Sequence, residues 1–300
     1  MQQNKSKLIV SCSRKKNLIS KTILNALSNL VNCPYNILWS EICVEFDLNT
    51  ISNKYPLKKA VKEKFKDFEI DFNIINYNKD NPRRKKLLIA DMDSTLVKSE
   101  TLNDLADLIG IGDQVRIITN LAMEGKINFI ESLIKRTNLL KGQNYKSIET
   151  IRNTICYNQG AKELVRTMKN NGSVCALATG GFKDIAEKVS SDLMIDYFQA
   201  NTIEVNNKII TGRLKKPIHD QESKLKYLIK LAKNLNIPLT HTCSIGDGAN
   251  DIDMIKASSM GVAFKGKQKL KEIANYRLDF SDLTGLLFLQ GYTRKEIEHS

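Results

Sequence analysis

From residue 86 onward, short apolar runs with strand character alternate with stretches of helical periodicity, and this alternation limits the fold more than any other feature of the chain. The runs are "KLLIAD", "SVCALAT", "TCSIGD", "GVAF" and "YRLDF". A long helical stretch from about 100 to 155 follows the first, and a helix after Phe182 follows the second. Strands separated by helices imply an α/β fold, a parallel sheet with crossover connections. One exception is "NTIEVNNKIITG", which alternates around Asn206-Asn207; Asn tolerates positive φ, so a hairpin turn is expected at that pair.

The first 80 residues read differently. "KLIVSC", "NILWSEICVEF" and "DFEIDFNII" have strand character, and "NLISKTILNALSNLV" spaces its apolar residues as a helix does. This predicts a small α+β domain over 1–80, with no catalytic constellation of its own. The polar stretch "NKDNPRRKK", interrupted by Pro82, suits a connector, so a second domain is expected over 81–300.

Composition narrows the function. The chain has 300 residues, 42% of them hydrophobic, enough for a sizeable core. Its net charge is +13, with 17 Lys/Arg against 8 Asp/Glu in residues 1–86. Those lysines are dispersed among Asn and Ile instead of forming an aromatic-interleaved stripe, so no nucleic-acid partner is expected. No apolar stretch approaches membrane-spanning length, and Lys5 and Lys7 precede only Leu8 to Val10 before polar residues return; neither a membrane nor a secretion signal is expected, and the cytoplasm is the expected compartment. The six cysteines are scattered, without zinc-ligand spacing, and read as reduced thiols. Only three histidines are present, so carboxylates are the first candidates for catalysis.

Three of the expected strands end on polar signatures, and in open α/β sheets ligands collect at the carboxyl ends of strands. In "DMDST", Asp91 and Asp93 stand two residues apart on a nearly extended chain, so both point broadly to one side. One can attack while the other moves a proton. A carboxylate works as a nucleophile on phosphorus, where an aspartyl phosphate divides hydrolysis into two displacements. Carboxylate and phosphate repel one another, so the site calls for a hard divalent ion, for which Mg²⁺ fits, and a lysine. Asp247, in "GDGAND", supplies a remote carboxylate, and Asp251 is either a second metal ligand or the group that orients a metal-bound water. In "ATGGF", the Thr179 hydroxyl and the backbone N–H groups around Gly180 can hold phosphate oxygens before a helix.

These elements, in this order, resemble the haloacid dehalogenase superfamily, and the resemblance extends to its phosphoserine phosphatases. "DMDST", Glu100 in "VKSETLNDLA", "AMEGKINFIESLIKRTNLLKG", "TGGF" and "GDGANDIDMIKASSMGVAFKGKQKLKEIA" carry it over most of residues 87–280. The resemblance implies a Rossmann-like parallel sheet with helices on both faces and a helical cap inserted after its first strand, at about 100–155. It makes Asp91 the nucleophile and Asp93 the acid/base. Mg²⁺ would be held by Asp91, the backbone carbonyl of Asp93 and Asp247. Lys224 would neutralise phosphate and nucleophile, and Asn250 would help to hold the phosphate. The family commonly has Ser where this chain has Thr179, which keeps the hydroxyl.

The implied reaction is hydrolysis of O-phospho-L-serine, the last step of L-serine biosynthesis. Glu100 and Arg136 resemble the residues that receive the ammonium and carboxylate, with Met123 and Phe129 lining the same pocket. A phosphatase or phosphotransferase for another small phosphomonoester, such as phosphohomoserine, is the alternative. The N-terminal part is weakly similar to small regulatory domains, which allows ligand sensing or homodimer contacts; a scaffold that shields one side of the catalytic domain fits equally well.

Overall fold

The structure, a computed structural model, describes residues 4–51, 53–123 and 126–300, without the side chain of Met123. Two sheets organise the chain. The first contains β1 (Lys5–Cys12), β2 (Tyr35–Trp39), β3 (Cys43–Asp47) and β4 (Ile70–Tyr77) in the antiparallel order β2-β3-β1-β4. "NILWSEICVEF", one run in sequence, is therefore two strands that fold back on each other. Helix Lys21–Val31 begins at Ser20, whose hydroxyl accepts the Ile23 N–H. A second helix, Tyr55–Lys64, has Pro56 in its first turn, where the missing N–H costs nothing.

The second sheet is built from β5 (Leu87–Ala90), β6 (Val174–Phe182), β7 (Tyr197–Asn206), β8 (Ile209–Lys215), β9 (Thr242–Gly246), β10 (Met260–Phe264) and β11 (Tyr276–Leu278). Its order is β11-β10-β9-β5-β6-β7-β8, parallel except for β8. All four residues of β5 are buried, as a strand covered on both faces requires. Leu87 and Ile89 pack with Leu228 and Leu231 of helix Gln221–Asn234, while Leu88 and Ala90 join the larger core on the opposite face. That larger core runs unbroken from Leu8, Ile9 and Val10 of β1 to Leu286, Leu287 and Phe288.

The helical stretch after β5 resolves into Thr101–Leu108, Gly112–Met123, Phe129–Asn138 and Lys146–Asn153. Its second half is tied to the β7–β8 hairpin by backbone bonds from Gly142 N to Ile210 O (2.9 Å), Ile210 N to Gln143 O (2.8 Å) and Tyr145 N to Lys208 O (2.9 Å). The hairpin turn sits one residue later than the sequence suggests. Asn206 pairs with Ile209, and Asn207 and Lys208 take the positive φ values of 48° and 64°. Register against β7 decides this, because either Asn would accept the left-handed conformation.

The connector between the sheets is not a loose one. Arg83 reaches Glu45 (2.7 Å) and the carbonyl of Leu289 (2.9 Å), and Lys85 is buried against Asn81, Thr240 and Ser259. On β4, Asn73 exchanges two hydrogen bonds with the backbone of Arg277, and Asp71 accepts the N–H groups of Asp279, Phe280 and Ser281. All six cysteines are free thiols, and no described helix is long and apolar enough to cross a membrane.

Candidate active site

Three strand ends converge at one side of the parallel sheet: β5 delivers Asp91, β6 ends in Thr179-Gly180-Gly181-Phe182, and β9 runs into Asp247. The chain leaves Asp91 in a tight turn, with Asp93 extended and Ser94 left-handed at φ 57°. A non-glycine residue in that conformation must be held there. Asn158 does so, its amide donating to the carbonyls of Thr95 (2.8 Å), Val97 (3.1 Å) and Ser94 (3.3 Å).

Lys224 is placed by the first turn of helix Gln221–Asn234, capped by Asp220. Its ammonium lies 2.5 Å from Asp91 Oδ1 and 2.7 Å from Asp251 Oδ1, all three groups buried. Asp251 Oδ2 accepts the N–H groups of Gly248 (3.0 Å) and Asp247 (3.1 Å), which fixes the loop that carries Asp247. Gly246 is required there, because a Cβ would stand 2.3 Å from the Asp251 carboxyl carbon.

Oxygens of Asp91, Asp247 and Asp251 come within 4.8 Å of one another, three carboxylates against one lysine. The electrostatic response follows. Burial, then the charge of Asp251, drives Asp91 well above the usual carboxylate range, and the same two causes push Asp247 up to about 7. Burial works against the Lys224 charge, but Asp251 and Asp91 outweigh it and hold the ammonium protonated. Asp93 stands outside this cluster, with Oδ1 accepting the Thr101 N–H at 2.9 Å. Burial, reinforced by Glu100, raises it to about 6.

Asp91, Asp93 and Asp247 open onto a cleft of about 720 Å³ between the sheet and the inserted helices. Asp91, Asp93, Asp247, Thr179, Gly180 and Asn250 stand at its sheet end. Glu100, Phe129 and Arg136 line the helical side. Thr179 Oγ1 accepts the Gly181 N–H, leaving its proton available to a ligand. Glu100 precedes helix Thr101–Leu108 but makes no capping bond; it receives the Ser94 hydroxyl at 3.0 Å. Arg136 forms no ion pair among the described residues, and its guanidinium donates to the Ser132 carbonyl. Met123 closes helix Gly112–Met123, and its side chain lies outside the described residues.

Some lining residues carry no signal in sequence. Lys267 reaches the cleft from the loop after β10, and the Ser132 hydroxyl is buried there without a protein partner. Asn201 stitches two loops, donating to the carbonyls of Gly180 and His219. A lysine among many, a helical serine and a strand asparagine are each ordinary until the fold brings them together.

The chain belongs to the haloacid dehalogenase-like hydrolases, whose family model matches residues 85–259. Relatives that it resembles include phosphoserine phosphatases. One from Mycobacterium tuberculosis is 39% identical over 216 residues, covering 72% of this chain, which spans only 53% of that relative's length. One from Methanocaldococcus jannaschii is 38% identical over 205 residues, covering 68% of this chain and 97% of the relative. A solved phosphoserine phosphatase, described as a phospho-aspartyl intermediate analogue, superposes with a TM-score of 0.64 at 38% identity, over 68% of this chain and 98% of its own.

Proposed function

We propose that the protein hydrolyses O-phospho-L-serine to L-serine and phosphate with Mg²⁺, as the last step of L-serine biosynthesis, through a phosphoryl group carried by Asp91. One observation carries this reading: a single cleft is lined by Asp91 and Asp247 at one end, with Lys224 buried against Asp91, and at the other by Glu100 and by Arg136, which forms no ion pair among the described residues. The substrate has a phosphate for the first end and an ammonium and a carboxylate for the second. The names of the relatives support it.

The donor set fits a hard divalent cation. Three buried carboxylates face the Lys224 ammonium, with Lys267 acting on Asp247 from the cleft wall, so the cluster favours a further cation, and the raised Asp91 and Asp247 mark the cost of crowding its charges. Asp251 has both oxygens engaged by Lys224 and backbone N–H groups, so Asp91, Asp247 and the Asp93 carbonyl are the groups that would hold Mg²⁺. When bound, the ion supplies charge that lets an anionic nucleophile and an anionic phosphate approach.

The side chains then divide the work. An Asp91 oxygen attacks phosphorus and displaces the serine oxygen, while Lys224 compensates the charge. The Thr179 hydroxyl, the Gly180 N–H and Asn250 hold the phosphoryl oxygens. Asp93, with its pKa near 6, protonates the departing serine oxygen and then takes a proton from the water that cleaves the aspartyl phosphate. Phe129 lines the pocket from the inserted helices, which form the cap and exclude bulk water as it closes. On this reading residues 1–80 form an N-terminal domain packed through a shared core on a catalytic domain over 81–300, and the protein acts in the cytoplasm.

Substrate selectivity tests the reading. Arg136→Lys should raise KM for O-phospho-L-serine while leaving phosphoethanolamine, which has no carboxylate, nearly unaffected. Equal loss on both, or a wild-type preference for phosphohomoserine, would overturn the assignment.

A further inference from the structure

Between Ala178 and Phe182, β6 leaves its ladder with β7. Ala178 pairs with Gln199 and Phe182 with Asn201, so four residue steps on β6 run against two on β7. Thr179, Gly180 and Gly181 therefore bulge from the sheet into the cleft, where they form the turn assigned above to phosphate. A bulge gives up ladder bonds, so its peptides must be held by other groups. Asn201 holds them from β7. Its side chain is fully buried, its amide donates to the carbonyls of Gly180 (2.9 Å) and His219 (3.0 Å), and its Oδ1 accepts the His219 N–H (2.7 Å).

The Gly180 carbonyl lies on the same planar peptide as the Gly181 N–H, which donates to Thr179 Oγ1 at 2.9 Å. Fixing one end of that peptide fixes the other, and with it the hydroxyl whose proton faces a ligand. The turn has little slack on its other side, because a Cβ on Gly180 would stand 2.9 Å from Phe129 Cζ. His219, the second segment held by Asn201, leads into Asp220, whose carboxylate accepts the Ser223 N–H (3.0 Å) and caps the helix that carries Lys224 in its first turn. We propose that Asn201, which does not itself line the cleft, is the positioning residue of the phosphate turn: it sets Thr179 and the Gly180 peptide at the separation from Lys224 that a phosphoryl group requires. This rests on the reading of the cleft given above and assigns Asn201 to one of its two ends.

The full-length protein with Mg²⁺ is compared with Asn201→Ala and with Asn201→Ser, in which one hydroxyl proton replaces two amide donors. Circular dichroism checks each fold. Thermal unfolding is then followed against inorganic phosphate, which engages only the phosphate end, and against L-serine, which engages only the other; in wild type each should raise Tm saturably. In the variants the half-saturating phosphate concentration should rise by about tenfold, and that of L-serine should change by less than about twofold. The kcat/KM values for O-phospho-L-serine and phosphoethanolamine should fall together, by roughly 10- to 100-fold. Unchanged phosphate affinity in a folded variant, or equal weakening of phosphate and L-serine, overturns the positioning role, as does failure of both variants to fold or a wild type blind to phosphate. A wild type that does not turn over O-phospho-L-serine, with the phosphate difference intact, overturns the proposed reaction and leaves the role of Asn201 standing.

Discussion

Asp91 and Asp93 are two residues apart, yet their surroundings differ, as the different tasks proposed for them require. Asp91 meets Lys224 and the other two carboxylates of the cluster; Asp93 meets the Thr101 N–H and the field of Glu100. The Asp93 carboxyl, at about 6, is partly protonated near neutrality, which suits a group that must first give and then take a proton. Asp93→Asn should therefore slow both formation and breakdown of the phosphoenzyme, by roughly 10²–10⁴-fold, in single-turnover experiments. Wild-type rates for both steps would remove its role. The acid cluster makes a separate prediction about metal. Mg²⁺ should raise the Tm of wild type and chelation should abolish turnover, while Asp247→Asn should lose most of the Tm response. An undiminished response in that variant would place the ion elsewhere.

At the scale of elements, the turn that follows Asp91 and Asp93 is held from outside its own segment. Asn158 lies more than sixty residues along the chain and satisfies three carbonyls of a strained turn. Asn158→Ala leaves those carbonyls unmet and should cost about 1–3 kcal/mol of stability, with a fall in kcat larger than any change in KM. A stable variant with unchanged kcat would show that the turn holds itself. The contrast between Asp91 and Asn158 also explains what could be read in sequence. Acidic and glycine-rich motifs at strand ends are local patterns, so Asp91, Asp247 and the TGG turn stand out before any fold is known. Asn158, Lys267 and Ser132 matter only through tertiary proximity and leave no local trace. The hairpin turn, displaced to Asn207-Lys208, shows the same limit at finer grain: propensity names a pair of asparagines, and strand register selects the turn.

For the whole molecule, the two sheets share one core and are clamped by polar groups at the joint. Asp71 is the most telling of them. Burial pushes its carboxyl up to about 6 even though three backbone N–H groups support its charge. Its folded pKa is above the unfolded value, so its contribution to stability is full below about pH 4 and is lost as pH rises through about 6. The stability difference between wild type and Asp71→Ala should therefore shrink by on the order of 3 kcal/mol as pH is raised from 4 to 7. A difference that stays constant over that range would show that Asp71 is ionised throughout. The most direct test of the function lies at Asp91. Enzyme quenched during turnover of radiolabelled O-phospho-L-serine should carry a hydroxylamine-sensitive phosphoryl group on the peptide containing Asp91, and Asp91→Asn should carry none and be inactive. Label on another residue, or sustained turnover by Asp91→Asn, would contradict the mechanism.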